Sequence, residues 1–182
     1  MIYFTSDQHF GHENIIKYCN RPFSSVEEMD EEMIKRWNSV VKDSSDIVYH
    51  LGDFCLKDDA KPYISRLNGR IRFVCPNNHH DKRWLHKKPD MPNVEYLSPL
   101  EFVEIGDVCI ALCHYPIAVW ERSHYGAWHL HGHVHRTGFH VPGFTMNVGV
   151  DFQGFYPVSF EGIRDFMMDI GWHKDWKAEF IK

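Results

Sequence analysis

The chain has 182 residues, a length that suits one well-packed domain over 1–182 and is short for two. Its 20 Lys and Arg against 25 Asp and Glu leave a formal charge of -5 with the signs interspersed, which gives no general attraction to a polyanion. Five cysteines form no C-x-x-C pair, no leader precedes the first apolar stretch and no apolar run approaches about eighteen residues, so we expect reduced thiols, a cytoplasmic location and no membrane partner.

In chain order, Met1 to Thr5 is apolar and reads as the first strand, running out at Ser6 and Asp7. A polar stretch from Gly11 to Asn14 precedes a short helical pattern at Ile15, Ile16 and Tyr18. Ser25 and Glu28 have the spacing of a capping box, and Met29, Met33, Trp37 and Val40 then recur at helical spacing, so that face packs on the core. Asp46 to Leu51 reads as a strand that delivers Gly52 and Asp53. A short helix fits within Ala60 to Leu67, where Pro62 limits its start, and Arg70 to Cys75 is a strand running into PNNHHDK. Val94 to Leu97, Phe102 to Ile105 and Val108 to Cys113 are further strands, the last ending at His114, and Trp128 to His131 leads into the histidine-rich HLHGHVH. Phe144 to Val150 and Tyr156 to Phe160 are expected as a terminal pair of strands, with a helix from about Ile163 packing on the sheet. Strands mixed with helical patterns make this an α/β protein.

The ligand-type side chains gather where those strands end. Asp7, Asp53, Asn78, His114 and His133 each follow a strand candidate, and the carboxyl edge is where such sheets build their sites. Asp7 and His9 stand close enough to enter one cavity. The Asp53 carboxylate has two oxygens with which to bridge two cations, Asn78 offers a neutral oxygen, and His114, His133 and His135 offer ring nitrogens. This set exceeds one tetrahedral site and suits two nitrogen and oxygen sites sharing a carboxylate. Two divalent ions about 4 Å apart would clamp a phosphoryl group and its attacking hydroxide.

The order D-x-H (Asp7, His9), G-D (Gly52, Asp53), N-H (Asn78, His79), His114 and G-H-x-H (Gly132, His133, His135) resembles the calcineurin-like metallophosphoesterases from residue 1 to about 150, with the metal motifs between 7 and 135. SDQHFGHENII, WNSVV, VYHLGDF and MNVGVD are similar to the small bacterial and phage members. The resemblance implies a sandwich of two mixed β-sheets flanked by helices. It implies one metal on Asp7, His9 and His135, a second on Asn78, His114 and His133, and Asp53 between them; manganese is favoured, with iron, zinc, nickel or cobalt as alternatives. The implied reaction is in-line attack of a metal-activated hydroxide on a phosphodiester, small or nucleotide-like and including cyclic forms. Asp53 and Asn78 belong to the catalytic set, and His79 faces the scissile phosphate. A nuclease or nucleic-acid end-processing enzyme is the first alternative, a metal-binding scaffold with weakened catalysis the second. The expected partner is a small phosphoester rather than nucleic acid, and the chain is a monomer or a homodimer.

One stretch departs from the family pattern G-N-H-D or G-N-H-E. In the register Asn77-Asn78-His79-His80, Asn77 replaces the glycine and His80 the acid, with Asp81 following as a substitute for it. A second register aligns Asn78, His79, His80 and Asp81 with the motif but puts His79 where the asparagine ligand belongs. The first keeps both the Asn ligand and the histidine and is preferred.

Other residues have two readings each. His12 can face a substrate phosphate, Arg21 can do so or lie on the surface, and His131, His129 and His50 read as supporting or buried neutral imidazoles. Tyr115, Trp120, Tyr125, Trp128 and Phe139 can wall a base-stacking pocket or simply pack. Lys82, Arg83, Lys87 and Lys88, interleaved with Trp84 and His86, read as a basic loop, solvated or touching nucleic acid.

Overall fold

The computed structural model describes residues 1–74, 80–136 and 138–173. Cys75, Asn77, Asn78 and His79 lie outside the described residues, as does the end of the chain from 174.

Strand β1 (Ile2–Thr5) pairs in parallel with β2 (Ile47–His50), Phe4 opposite Tyr49. Alternation along a strand sends neighbouring side chains to opposite faces. Tyr3 and Val48 therefore join one core and Phe4 and Tyr49 another, where their rings stack at 5.3 Å. Parallel pairing continues through β3 (Arg70–Val74) to β4 (Val94–Leu97). The second sheet starts with an antiparallel pair, β5 (Leu100–Ile105) and β6 (Val108–Cys113), and continues in parallel through β7 (Trp128–His131) to β8 (Thr145–Asn147). The short β9 (Val158–Ser159) returns to lie antiparallel to β1. The strand orders are thus β4-β3-β2-β1-β9 and β5-β6-β7-β8, both sheets mixed, as the sequence led us to expect.

Phe4, Tyr49 and Val74 of the first sheet meet Ile110, Leu112, Trp128 and Leu130 of the second in the core between them. Phe160, Ile163 and Met167 of α5 (Phe160–Asp169) join the same core. The other face of the first sheet is covered by α1 (Glu13–Tyr18), α2 (Val26–Val40) and α3 (Lys61–Ile64), with Met29, Met33 and Trp37 buried as their helical spacing predicts.

Three local expectations need correcting. The Ser25 hydroxyl caps α2 by accepting from Glu28 N at 3.1 Å, but the Glu28 carboxylate returns to the amide and hydroxyl of Ser24, so the reciprocal half of the box is displaced by one residue. The strands at Thr145–Asn147 and Val158–Ser159 are not partners: one extends the second sheet and the other the first, and Phe160 already belongs to the helix. Lys82 and Arg83 of the basic cluster lie on a short helix, α4 (Lys82–Leu85), whose Trp84 turns into the core against Phe54 and Phe73, while Lys87 and Lys88 follow it outside the helix. Burial to 1 % exposure removes Trp84 from any stacking role.

Phe4, fully buried between the sheets, provides a test of this packing. Phe4→Ala should lower the unfolding free energy by about 3–5 kcal/mol, read as a reduced urea midpoint at unchanged m.

Candidate metal centre

The two sheets come together at one point just beyond β1. Ser6 bridges in parallel to Gly149, which follows β8, and Val150 N donates to Ser6 O at 3.0 Å. Gly132 follows β7, and its amide donates to the carbonyl of His114 at the end of β6. Asp7 is thus delivered from one sheet into a notch formed by the other. Its carboxylate accepts from His133 N through both oxygens, at 3.1 and 3.0 Å. The notch requires glycine: a Cβ on Gly132 would lie 2.3 Å from Asp7 Oδ2 and 2.2 Å from Ser6 Oγ, and one on Gly149 would lie 2.8 Å from Asp7 Oδ2.

Asp53 is set by a second group of contacts. Asp7 N donates to Gly52 O and His9 N to Asp53 O, so the two loops brace each other. His50 accepts from Gly52 N through Nδ1 and donates through Nε2 to Gln8 Oε1. Beneath them Asp81, 2 % exposed, accepts from Phe54 N, Cys55 N and Trp84 Nε1, and burial raises its pKa to about 6. Asp81 therefore anchors the backbone that follows Asp53. Asp7, His9, Asp53 and His133 all have left-handed backbone, with φ of 66°, 56°, 55° and 66°. Such conformations cost on the order of 1–3 kcal/mol each and persist only where surrounding contacts over-determine them.

Besides the groups His9, His12 and His80, and Cys19, His135 and Asp151, two groups of donor atoms share Asp53. Asp7, His9, Asp53 and His135 form one and Asp53, His114 and His133 the other, with Asp53 in both. His9 Nε2 lies 3.3 Å from His135 Nε2 and 3.4 Å from Asp53 Oδ2, while His135 Nε2 is 3.7 Å from Asp7 Oδ1. His114 Nε2 lies 3.6 Å from Asp53 Oδ2 and is buried without a hydrogen-bond partner. Ligands about 2.1 Å from a common ion at tetrahedral or octahedral angles stand about 3.0–3.4 Å apart, so the two His9 spacings match those a cation would hold and the His114–Asp53 and His135–Asp7 spacings are wider.

The protonation states agree. Burial pushes His9 well below its ordinary value, while burial and then His133 bring His114 down to about 3. Burial raises Asp7 to about 6 against the pull of His135. Burial also opposes the charged form of His135, but the Asp151 carboxylate bound to its Nδ1 at 2.7 Å, with Cys19 and Asp7, raises it to about 10. Asp151 is held below the usual carboxylate range by His135 and Arg21, against its burial. Neutral His9 and His114 converge with the Asp7 and Asp53 carboxylates, and His135 alone carries a proton's charge among them, so the site is short of positive charge, which divalent ions would supply.

The remaining candidates divide clearly. His12 and His80 line the cavity of about 1000 Å³ over the donor groups, their rings 5.4 and 4.8 Å from that of His9. Tyr18, Arg136 and Phe139 form part of its rim. Arg21 is no surface residue and faces no substrate: its side chain is fully buried and binds Asp151 and the carbonyls of Asp7 and Gln8. His129 donates from Nδ1 to Ala111 O and accepts from Ile117 N at Nε2, so both nitrogens serve the fold. His131 is buried with Nδ1 on Gly132 O. Trp120 and Trp128 are core residues, whereas Tyr115 leans edge-on against His114 and His133. Sequence reasoning passed over Asp151 as a site residue although it ends the quoted MNVGVD; an acid immediately after the strand extension that returns to Asp7 was the available signal.

Two mixed sheets flanked by helices, with overlapping donor groups that share Asp53, make the architecture that of a calcineurin-like dinuclear metallophosphoesterase. The clustered His and Asp groups form a site suited to two metal ions, consistent with a metal-dependent hydrolase in general. The chain belongs to the same family as the uncharacterized protein MJ1445 of Methanocaldococcus jannaschii, with which it is 38 % identical over 170 residues, 88 % of this chain and 87 % of that one. It is 28 % identical to the gene 66 protein of Mycobacterium phage L5, over 84 % of this chain and 87 % of the phage protein. Among solved structures it is similar to a protein of unknown function, AQ665, from Aquifex aeolicus, with a TM-score of 0.68 and 26 % identity over 91 % of this chain and 98 % of that one. No family model matches the chain. No helix among the described residues is long and apolar enough to cross a membrane.

Gly132→Ala tests the notch. The new Cβ must displace the Asp7 carboxylate or Ser6, so bound metal should fall and stability should drop by about 1–3 kcal/mol, measured by elemental analysis and urea unfolding.

Proposed function

We propose that this protein is a dinuclear metal-dependent phosphodiesterase acting on a small, nucleotide-type phosphodiester, with 1–182 as one catalytic domain. The observation that carries this reading is the pair of donor groups sharing Asp53 at the floor of an open cavity of about 1000 Å³. Asp7, His9 and His135 would hold one ion, His114 and His133 the other together with Asn78 or His79 according to the register, and Asp53 both. When bound, the ions supply Lewis-acid charge for the phosphoryl oxygens and lower the pKa of water for nucleophilic attack. Manganese is the preferred pair on the nitrogen and oxygen donor set.

The chain's own groups do the rest. Arg136 and His12 on the cavity wall can meet the outer phosphate oxygens, and Tyr18 and Phe139 on its rim give a planar organic group an apolar face. For the histidine that meets charge on the leaving oxygen, both registers remain on offer. Supporting the second are His80 in the cavity beside His9 and Asp81 buried beneath the Asp53 loop; supporting the first is the asparagine ligand that it preserves. We assign this role to His80, with His79 contributing to the second metal group. The negative net charge and the burial of Trp84 weigh against a nucleic-acid path along α4.

Hydrolysis of bis-p-nitrophenyl phosphate by manganese-reconstituted protein tests the reading. Asp53→Ala should abolish turnover, and Asn78→Ala should spare it unless the first register holds. His80→Ala should lower kcat by about 10²–10⁴-fold with both metals retained, whereas His79→Ala should lose metal. Two bound ions without turnover of this or any nucleotide diester would overturn the phosphodiesterase assignment. The reverse pattern for the two histidines would restore the first register.

A further inference from the structure

Beneath the first donor group lies an ion pair whose Arg21 side chain is fully buried and whose Asp151 side chain is 11 % exposed. Arg21 enters from a left-handed turn at Asn20 that closes α1, with its own amide on Ile16 O at 2.9 Å. Its guanidinium binds Asp151 in a fork, Nε to Oδ1 at 2.7 Å and one terminal nitrogen to Oδ2 at 2.8 Å. That nitrogen also donates to Asp7 O at 2.7 Å, and the other donates to Gln8 O at 2.9 Å and to Met29 Sδ at 3.5 Å. All five N–H donors are thereby used, which a Lys ammonium could not reproduce. Asp151 Oδ2 then accepts from His135 Nδ1 at 2.7 Å.

One buried pair therefore holds the main chain that carries Asp7 and leads to His9, and also fixes the ring of His135. A carboxylate on Nδ1 makes Nε2 the nitrogen that exchanges its proton for an ion, and makes it more basic. His9 lacks this support, since its Nδ1 is buried without a hydrogen-bond partner. The support reaches the first donor group through its backbone and through one ring, whereas His114 is held through its carbonyl, which accepts from Gly132 N just after β7, and its Nε2 has no hydrogen-bond partner.

We propose that Arg21 and Asp151 are positioning residues that make the group of Asp7, His9, Asp53 and His135 the tighter of two unequal metal sites, preformed before any ion arrives. This rests on the dinuclear reading above. Removing the pair should detach one ion selectively, whereas loss of a merely structural contact would weaken both sites together.

The test is titration with Co²⁺, followed by calorimetry and visible absorption, of the metal-free wild type, Asp151→Asn, Asp151→Glu, His135→Ala and the Asp151→Asn/His135→Ala double variant. The wild type should take up two ions in resolved steps. Asp151→Asn, which removes the charge and must turn its NH2 toward either Arg21 Nε or His135 Nδ1, should weaken the tighter step by about 10–100-fold and leave the weaker within about twofold. In the His135→Ala background the same change should have much less effect, because the ring through which it acts is gone. Equal weakening of both steps, an unchanged first step, or full additivity in the double variant would overturn the inference while leaving the dinuclear site intact. Should Asp151→Asn fail to fold, Asp151→Glu decides by the same criteria, and if neither folds the pair is a general structural support and the inference fails. A wild-type protein that binds fewer than two Co²⁺ would instead sink the dinuclear reading, which separates the two failures.

Discussion

Two carboxylates, Asp7 and Asp53, are withdrawn from water at the seam where the two sheets meet, and the surrounding architecture answers that constraint. Taking a charge out of water costs several kcal/mol even in a relaxed protein. The fold offsets part of this with main-chain donors, His133 N on Asp7 being the clearest, and leaves the remainder to ring nitrogens. Bringing the His133 amide so close needs a backbone without a side chain at 132, and bringing the Ser6 strand so close needs the same at 149. The glycines, the bridge from Ser6 to Gly149 and the left-handed ligand loops are thus linked parts of one arrangement.

The histidines show how such a site is built from one residue type. His50 and His129 engage both ring nitrogens with the protein, so they are neutral struts, and burial lowers their pKa to about 3 and about 4. His9 and His114 instead point a nitrogen toward the shared Asp53 carboxylate, and His135 points one toward Asp7. What separates a strut from a ligand is where the second nitrogen goes. The HLHGHVH run contains both kinds: alternation puts His129 and His131 inside the second sheet, and the turn after Gly132 releases His133 and His135 toward the cavity.

Much of this was legible in the residues. The strand ends were readable because apolar runs stop at Asp7, Asp53 and His114, and ligand-type side chains at several strand ends require a common purpose. The helical face of α2 was readable from its spacing. Less legible was anything decided by a partner distant in sequence. Arg21 looks like a surface cation until Asp151, 130 residues away, is placed beside it. Trp84 looks available for stacking until Phe54 and Phe73 enclose it. The short β8 and β9, being apolar and adjacent in sequence, suggest a pair; the competition of two sheets for them cannot be read from either segment alone.

The left-handed backbone at Asp7, His9, Asp53 and His133 has a consequence for which sequences can carry such a centre. Among residues other than glycine, Asn, Asp and His enter that region most readily. They are also the side chains that offer short, rigid oxygen or nitrogen donors to a divalent ion. Backbone and ligand chemistry therefore select the same small alphabet at the same positions. Glutamate keeps the charge at 7 or 53 but has neither the short reach nor the tolerance for the turn, so a drift to the nearest chemical relative is opposed twice. The surrounding loop is under no such double selection and is free to change the shape and charge of the cavity while the floor stays fixed.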